Sequence, residues 1–252
     1  MKMKIYLSLC VVVLILAVYA CKKKTSAQPG PVTKPVDFTA TSYQTLGAYD
    51  SSGTPNYLLP PDGISPDMKS YINSMLIEKT DLRTTHPELL TNPAIADIVI
   101  TAPSDVFITF VAELTNSKNA LAFYTYPTNN PPASAKDIAA ITYTFPSIGI
   151  GTKLQPGDKV KIGRFQPGTS IGFVLMKDAW DPNTKTLDNS AVHFCSNDVL
   201  NPEVASNLKK HAVLINYAPE NKVLVGFENT NRTVETCDHD FNDVVIYVTV
   251  TP

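Results

Sequence analysis

One cadence constrains this chain more than any other feature. From about residue 95 to the end, short β-branched and aromatic runs alternate with segments that break regular structure. The runs are Ile95–Thr101, Val106–Glu113, Ala120–Tyr126, Ala140–Phe145, Lys159–Ile162, Ile171–Met176, Ala191–Phe194, Ala212–Tyr217, Lys222–Glu228 and Val244–Val250. Between them stand breakers such as Asn129-Asn130-Pro131-Pro132 and Gln155-Pro156-Gly157-Asp158, whose Pro, Gly and Asn residues favour turns. Strands at this spacing, without helices alternating between them, predict an all-β chain: an antiparallel β-sandwich, jelly-roll-like. One peripheral N-terminal helix is expected before the strands. Ser65 can cap it, Pro66 fits its first turn, and Met68, Tyr71, Ile72, Met75 and Leu76 recur at helical spacing. Tyr43–Leu59 adds a strand or two. With 44% apolar and 17% charged residues, neither a disordered chain nor a coiled coil fits.

The N-terminus reads as an address. Met1–Lys4 is basic, and the apolar run Ile5–Ala20 is too short to span a membrane comfortably. Val18-Tyr19-Ala20-Cys21 resembles the lipobox of bacterial lipoproteins, which implies cleavage after residue 20 and acylation of Cys21. Several acyl chains anchor a protein stably. Lysine at position 22 suits transfer to the outer membrane of a Gram-negative-type bacterium, with the body facing the periplasm or the cell surface. The expected organisation is a signal peptide over 1–20 and a lipidated, proline-rich tether over 21–37. A strand-and-helix extension over 38–90 packs on the core, and the sandwich occupies 91–252.

Net charge is −2, from 21 basic and 23 acidic residues. Lys2 and Lys4 leave with the signal, and Lys22, Lys23 and Lys24 lie beside the membrane, so the body holds 16 basic against 23 acidic residues, or −7. That balance excludes a nucleic-acid partner and favours bound cations. The acids concentrate near the end. A hairpin between Lys222–Glu228 and Val244–Val250 would set Glu228 beside Asp243, with Asp238 and Asp240 in the connecting loop. Gathered carboxylates raise one another's pKa unless a cation neutralises them, and oxygen ligands on a loop suit calcium. Asn242 could add an amide oxygen. Spacing alone leaves a second reading open: an Asx-rich turn that caps its own backbone without an ion.

Several stretches, in order, resemble the domain of unknown function 4114, found in bacterial surface and secreted proteins, including LruC-type lipoproteins. They are Asp105–Val111 with Phe123–Tyr126, Leu154–Val160 with Gly168–Phe173, then Ala179-Trp180, Ser196-Asn197, Leu200–Glu203 and Lys210-His211. Gly226-Phe227-Glu228 and Asp238–Val245 complete the series, so the likeness covers roughly residues 70–252. It implies a β-sandwich whose acidic signature, Glu228, Asp238, Asp240, Asn242 and Asp243, binds calcium, with no established catalytic activity. Asn229 and Cys237 stand where the family usually has Asp and a small polar residue.

Cys195 and Cys237 remain in the exported body, and two cysteines in an oxidising compartment are read first as a disulfide. Trp180 and Asp181 are candidates for ligand contact, although a lone tryptophan is more often an anchor. Gly168-Thr169-Ser170-Ile171-Gly172 fits the hydrolase elbow pattern but lacks a following helix. The expectation is therefore a non-enzymatic, membrane-anchored protein presenting a calcium-stabilised sandwich to a carbohydrate or protein ligand, as in adhesion. The competing readings are a glycan-degrading hydrolase using two of the clustered carboxylates and a structural subunit of an envelope assembly.

Overall fold

The computed structural model describes residues 33–34, 36–91 and 97–252. The signal segment, Cys21 and the tether up to residue 32 lie outside the described residues. The body is a two-sheet sandwich. The first sheet holds β1 (Ser42–Thr45), β2 (Ile98–Val99), β4 (Ala120–Pro127), β5 (Ala140–Phe145), β7 (Thr169–Lys177) and β10 (Val192–Cys195), ordered β1-β5-β4-β7-β10 with β2 also on β7. The second holds β3 (Ser104–Glu113), β6 (Lys159–Phe165), β11 (Ala212–Tyr217), β12 (Lys222–Phe227) and β13 (Val244–Thr251), ordered β11-β12-β13-β3-β6. A small hairpin, β8 (Trp180–Asp181) with β9 (Thr186–Leu187), lies outside both sheets. The expected sandwich is present, with one departure from a purely antiparallel arrangement: β1 pairs with β5 in parallel.

Side-chain alternation explains the layers. In β13, Val244, Ile246 and Val248 enter the central core, while Val245 and Tyr247 join a second cluster on the other face. In β7, Ile171, Phe173 and Leu175 face the central core, and Val174 and Met176 face away. Both faces of these strands are covered, which is why their sequences read as nearly continuous apolar runs rather than strict alternation. The outer face of the first sheet buries Tyr124, Tyr143, Cys195 and Leu200.

Three short helices contribute to the outer layer of the second sheet, where one helix was expected. The first, α1 (Pro66–Met75), is capped by Ser65, whose Oγ accepts the Met68 N–H at 3.1 Å. Two further turns follow, α2 (Leu82–Thr85) and α3 (Pro87–Thr91). They are too short to show helical periodicity, and they form because Met68, Ile72, Leu76, Leu82 and Leu89 pack on Val213, Leu224 and Tyr247. This layer ends beside the acidic loop. Phe241, fully buried, belongs to the same cluster.

Trp180 is 4% exposed and meets Tyr49 edge-on at 5.8 Å, so the tryptophan anchors the β8–β9 hairpin and offers no open face to a ligand. Asp181 accepts the Asn183 N–H at 2.8 Å, closing the turn of that hairpin. The expected disulfide is not formed. Cys195 and Cys237 are free, buried thiols. Cys195 packs against the outer face of the first sheet, whereas Cys237 Sγ lies 3.3 Å from His239 Nδ1. Burial raises both thiol pKa values, which suits protonated packing groups rather than reactive ones.

Gly226 in β12 lets the acidic loop cross close above the sheet. A Cβ there would stand 2.4 Å from the Phe241 carbonyl oxygen and 2.6 Å from Leu76 Cδ1. The backbone oxygen cannot swing aside as a flexible side chain could. Gly226→Ala is therefore expected to cost about 1–3 kcal/mol, read as a lower urea midpoint at unchanged m-value.

Candidate metal centre

The β12–β13 register builds the site. Phe227 pairs with Val244, so the next residues outward, Glu228 and Asp243, leave two adjacent strands side by side. The loop between them folds back over the end of the sheet and brings in Asp238 and Asp240. Glu228, Asp238 and Asp240 each offer an oxygen within 4.8 Å of the others. Two oxygens bound on opposite sides of calcium at about 2.3–2.6 Å lie about 4.6–5.2 Å apart, so the spacing of this trio is compatible with one such ion. Asp243 lies beside that trio rather than in it. Asp243 interacts with the Glu228 carboxyl and accepts the Asn229 N–H at 2.7 Å, while the Asn242 amide nitrogen donates to the Leu76 carbonyl at 3.4 Å. Asn242 thus fastens the loop to the end of α1.

The segment that follows α1 clamps the loop by its backbone. The Lys79 N–H donates to Asp240 Oδ2 at 2.8 Å, and the Leu82 N–H donates to the His239 carbonyl at 3.0 Å. His239 and Phe241, on either side of Asp240, both take the left-handed conformation at φ 59°. Non-glycine residues rarely do so, and the clamp compensates their strain. Arg232, 2% exposed, supports the loop from beneath. Its Nε donates to His239 Nδ1 at 3.1 Å, its NH1 donates to the Lys210 carbonyl at 3.0 Å, and its guanidinium lies 5.1 Å from the Phe241 ring. Neither Lys79 nor Arg232 carries a spacing signal in the sequence, because both act across the fold.

The acids are held under electrostatic stress. Glu228 is 1% exposed; Oε1 accepts the Thr230 N–H at 2.9 Å, and the buried Oε2 meets no N–H or O–H donor, the carboxyl lying instead against that of Asp243. Burial, reinforced by the neighbouring Asp243, pushes the Glu228 pKa up to about 9. Burial likewise pushes Asp240 up to about 6, against the pull of the Lys79 and Asn242 N–H groups, and raises Asp243. A buried carboxyl without a donor for one oxygen, beside two more carboxylates, offers hard oxygen ligands of the kind a hard cation takes. The hydrolase-elbow pattern falls elsewhere, and so does the buried His193. Ser170 lies inside β7 with its hydroxyl 2.9 Å from Thr128 Oγ1, so no strand-to-helix elbow forms there. His193 is buried against Phe38 and Tyr43, with its pKa lowered to about 4 by desolvation.

A family model described as a domain of unknown function (DUF4114) matches residues 165–251. That segment contains both the Phe227-Glu228 pair and the Asp238–Val245 signature, so the resemblance holds where the candidate ligands lie. No curated protein and no solved structure matches the chain.

A carboxyl group whose pKa is raised on folding stabilises the fold fully below its unfolded value. That contribution is lost as pH climbs toward the folded value. For Glu228 the window runs from 4.5 to about 9. In chelator the melting temperature is therefore expected to fall between about pH 7 and about pH 8.5, and Glu228→Gln is expected to flatten that slope. An equal slope in the variant would locate the titration elsewhere.

Proposed function

We propose that this chain is a lipid-anchored cell-envelope protein whose body is a calcium-stabilised β-sandwich, serving as a binding module for a carbohydrate or protein ligand. The observation that supports the calcium reading is the convergence of Glu228, Asp238 and Asp240 oxygens within 4.8 Å, with the Glu228 carboxyl buried and one of its oxygens lacking a donor. A divalent ion there satisfies that oxygen, neutralises the crowded acids and ties the loop to the clamp after α1. By linkage, an ion that binds only the folded chain adds its binding energy to stability.

At a hundredfold excess over Kd that addition is about 2.7 kcal/mol, or roughly 5–10 °C for a body of this size. Calcium is expected to raise the melting temperature by that amount over chelator. Asp240→Asn, which keeps an acceptor for Lys79, is expected to remove most of the difference. Melting curves that coincide in calcium and chelator would refute the metal reading.

The membrane part rests on the lipobox-like Val18–Cys21. Labelled palmitate is expected to enter the full chain and to be absent from Cys21→Ser. Labelling that survives the substitution would rule out Cys21 as the anchor.

A further inference from the structure

The candidate cation centre has a closed side and an open side. Glu228 and Asp240 are buried beneath the loop, whereas Asp238 is exposed. Asp238 and Asp243 form part of the wall of a groove of about 700 Å³ that runs between the β3–β4 connection and the acidic loop. Calcium takes about 6–8 oxygens, more than the trio supplies with one oxygen each. Of the trio only Asp238 lines the groove, so an ion held there would meet solvent through Asp238, on the groove side.

The groove wall defines what could fill the remaining coordination positions. Thr115, Asn116, Thr230 and Thr236 provide hydroxyl and amide groups, each able to donate and accept. No aromatic ring lines it, and its exposed large aliphatics are Leu114 and Ile150, at 55% and 44% exposure, too little apolar surface for a flat protein interface. Its acids, Glu78, Glu113, Asp238 and Asp243, outnumber Lys79 and Lys177. With the buried Glu228 and Asp240 added, one divalent ion leaves the region negative, which disfavours an anionic ligand. A neutral, hydroxyl-rich molecule meets these conditions: adjacent hydroxyls can replace two waters on a hard cation while the remaining hydroxyls pair with the threonine and asparagine side chains.

Building on the calcium reading above, we infer that the ion is shared: the groove binds a neutral saccharide whose vicinal hydroxyls complete the calcium coordination. The test is a neutral oligosaccharide array, probed with the detergent-solubilised full chain in calcium and in chelator, with melting curves taken on the same samples. Binding is expected in calcium only. Methyl glycosides with free vicinal hydroxyls should compete, and the corresponding deoxy sugars should not. Ile150→Trp, which fills the groove from the wall opposite the acidic loop, is expected to weaken binding at least tenfold while the calcium-induced melting shift persists, and Thr236→Trp is expected to weaken binding likewise. A calcium shift without saccharide binding, or binding that survives chelator, Ile150→Trp or Thr236→Trp, would overturn this inference and leave the calcium reading intact. Loss of the calcium shift in the unmodified chain would overturn both.

Discussion

A single register pair governs this molecule. Because Phe227 lies opposite Val244, Glu228 and Asp243 emerge together from the end of the second sheet, and two carboxylates so placed cannot both be comfortably ionised. The loop that joins them then bends inward and adds Asp238 and Asp240. Simple charge repulsion would splay such a loop into solvent. It is held down by backbone donors from the Lys79–Leu82 segment, by Phe241 in the helical layer and by the close approach over Gly226. The sheet places the charges, and the helical layer keeps them buried.

Cross-linking in this region is polar rather than covalent. Arg232 joins His239, the Lys210 carbonyl and Phe241, and its backbone N–H donates to Glu203 at 3.3 Å. Glu203 and His211 are both fully buried at the side chain and stand 3.0 Å apart, close enough for an ion pair although not aligned as a hydrogen bond. His211 also stacks on Phe194 at 4.1 Å, linking this network to β10. Buried networks of this kind contribute little net stability against an apolar core, but removing one member leaves the others unpaired and is strongly destabilising. Such a network gives the loop one arrangement.

Much of this was legible from local pattern. Ala140–Phe145 and Ala212–Tyr217 coincide with β5 and β11 to the residue, and the capping role of Ser65 followed from the proline after it. The acidic hairpin was legible because its strands are near neighbours in sequence, and three of its four suggested carboxylates converge. What escaped was set by distant contact. The parallel seat of β1 on β5 spans nearly a hundred residues, and α2 and α3 are shorter than the period that would reveal them. Cysteine arithmetic paired Cys195 with Cys237 because composition says nothing about which wall of a core each thiol faces. Nor does residue type reveal that the Asn242 amide nitrogen reaches the Leu76 carbonyl across the fold.

The order of the second sheet has a consequence for how the chain is made. β13, the last strand in sequence, sits between β12 and β3, and β3 precedes it by well over a hundred residues. A chain emerging from a ribosome or an export channel therefore has no partner between the facing edges of β3 and β12 until β13 has emerged. The partial product cannot be stored as a smaller stable fold, and it displays two unpaired strand edges suited to aggregation or proteolysis. The second sheet is thus closed only by the segment that follows directly on the acidic loop.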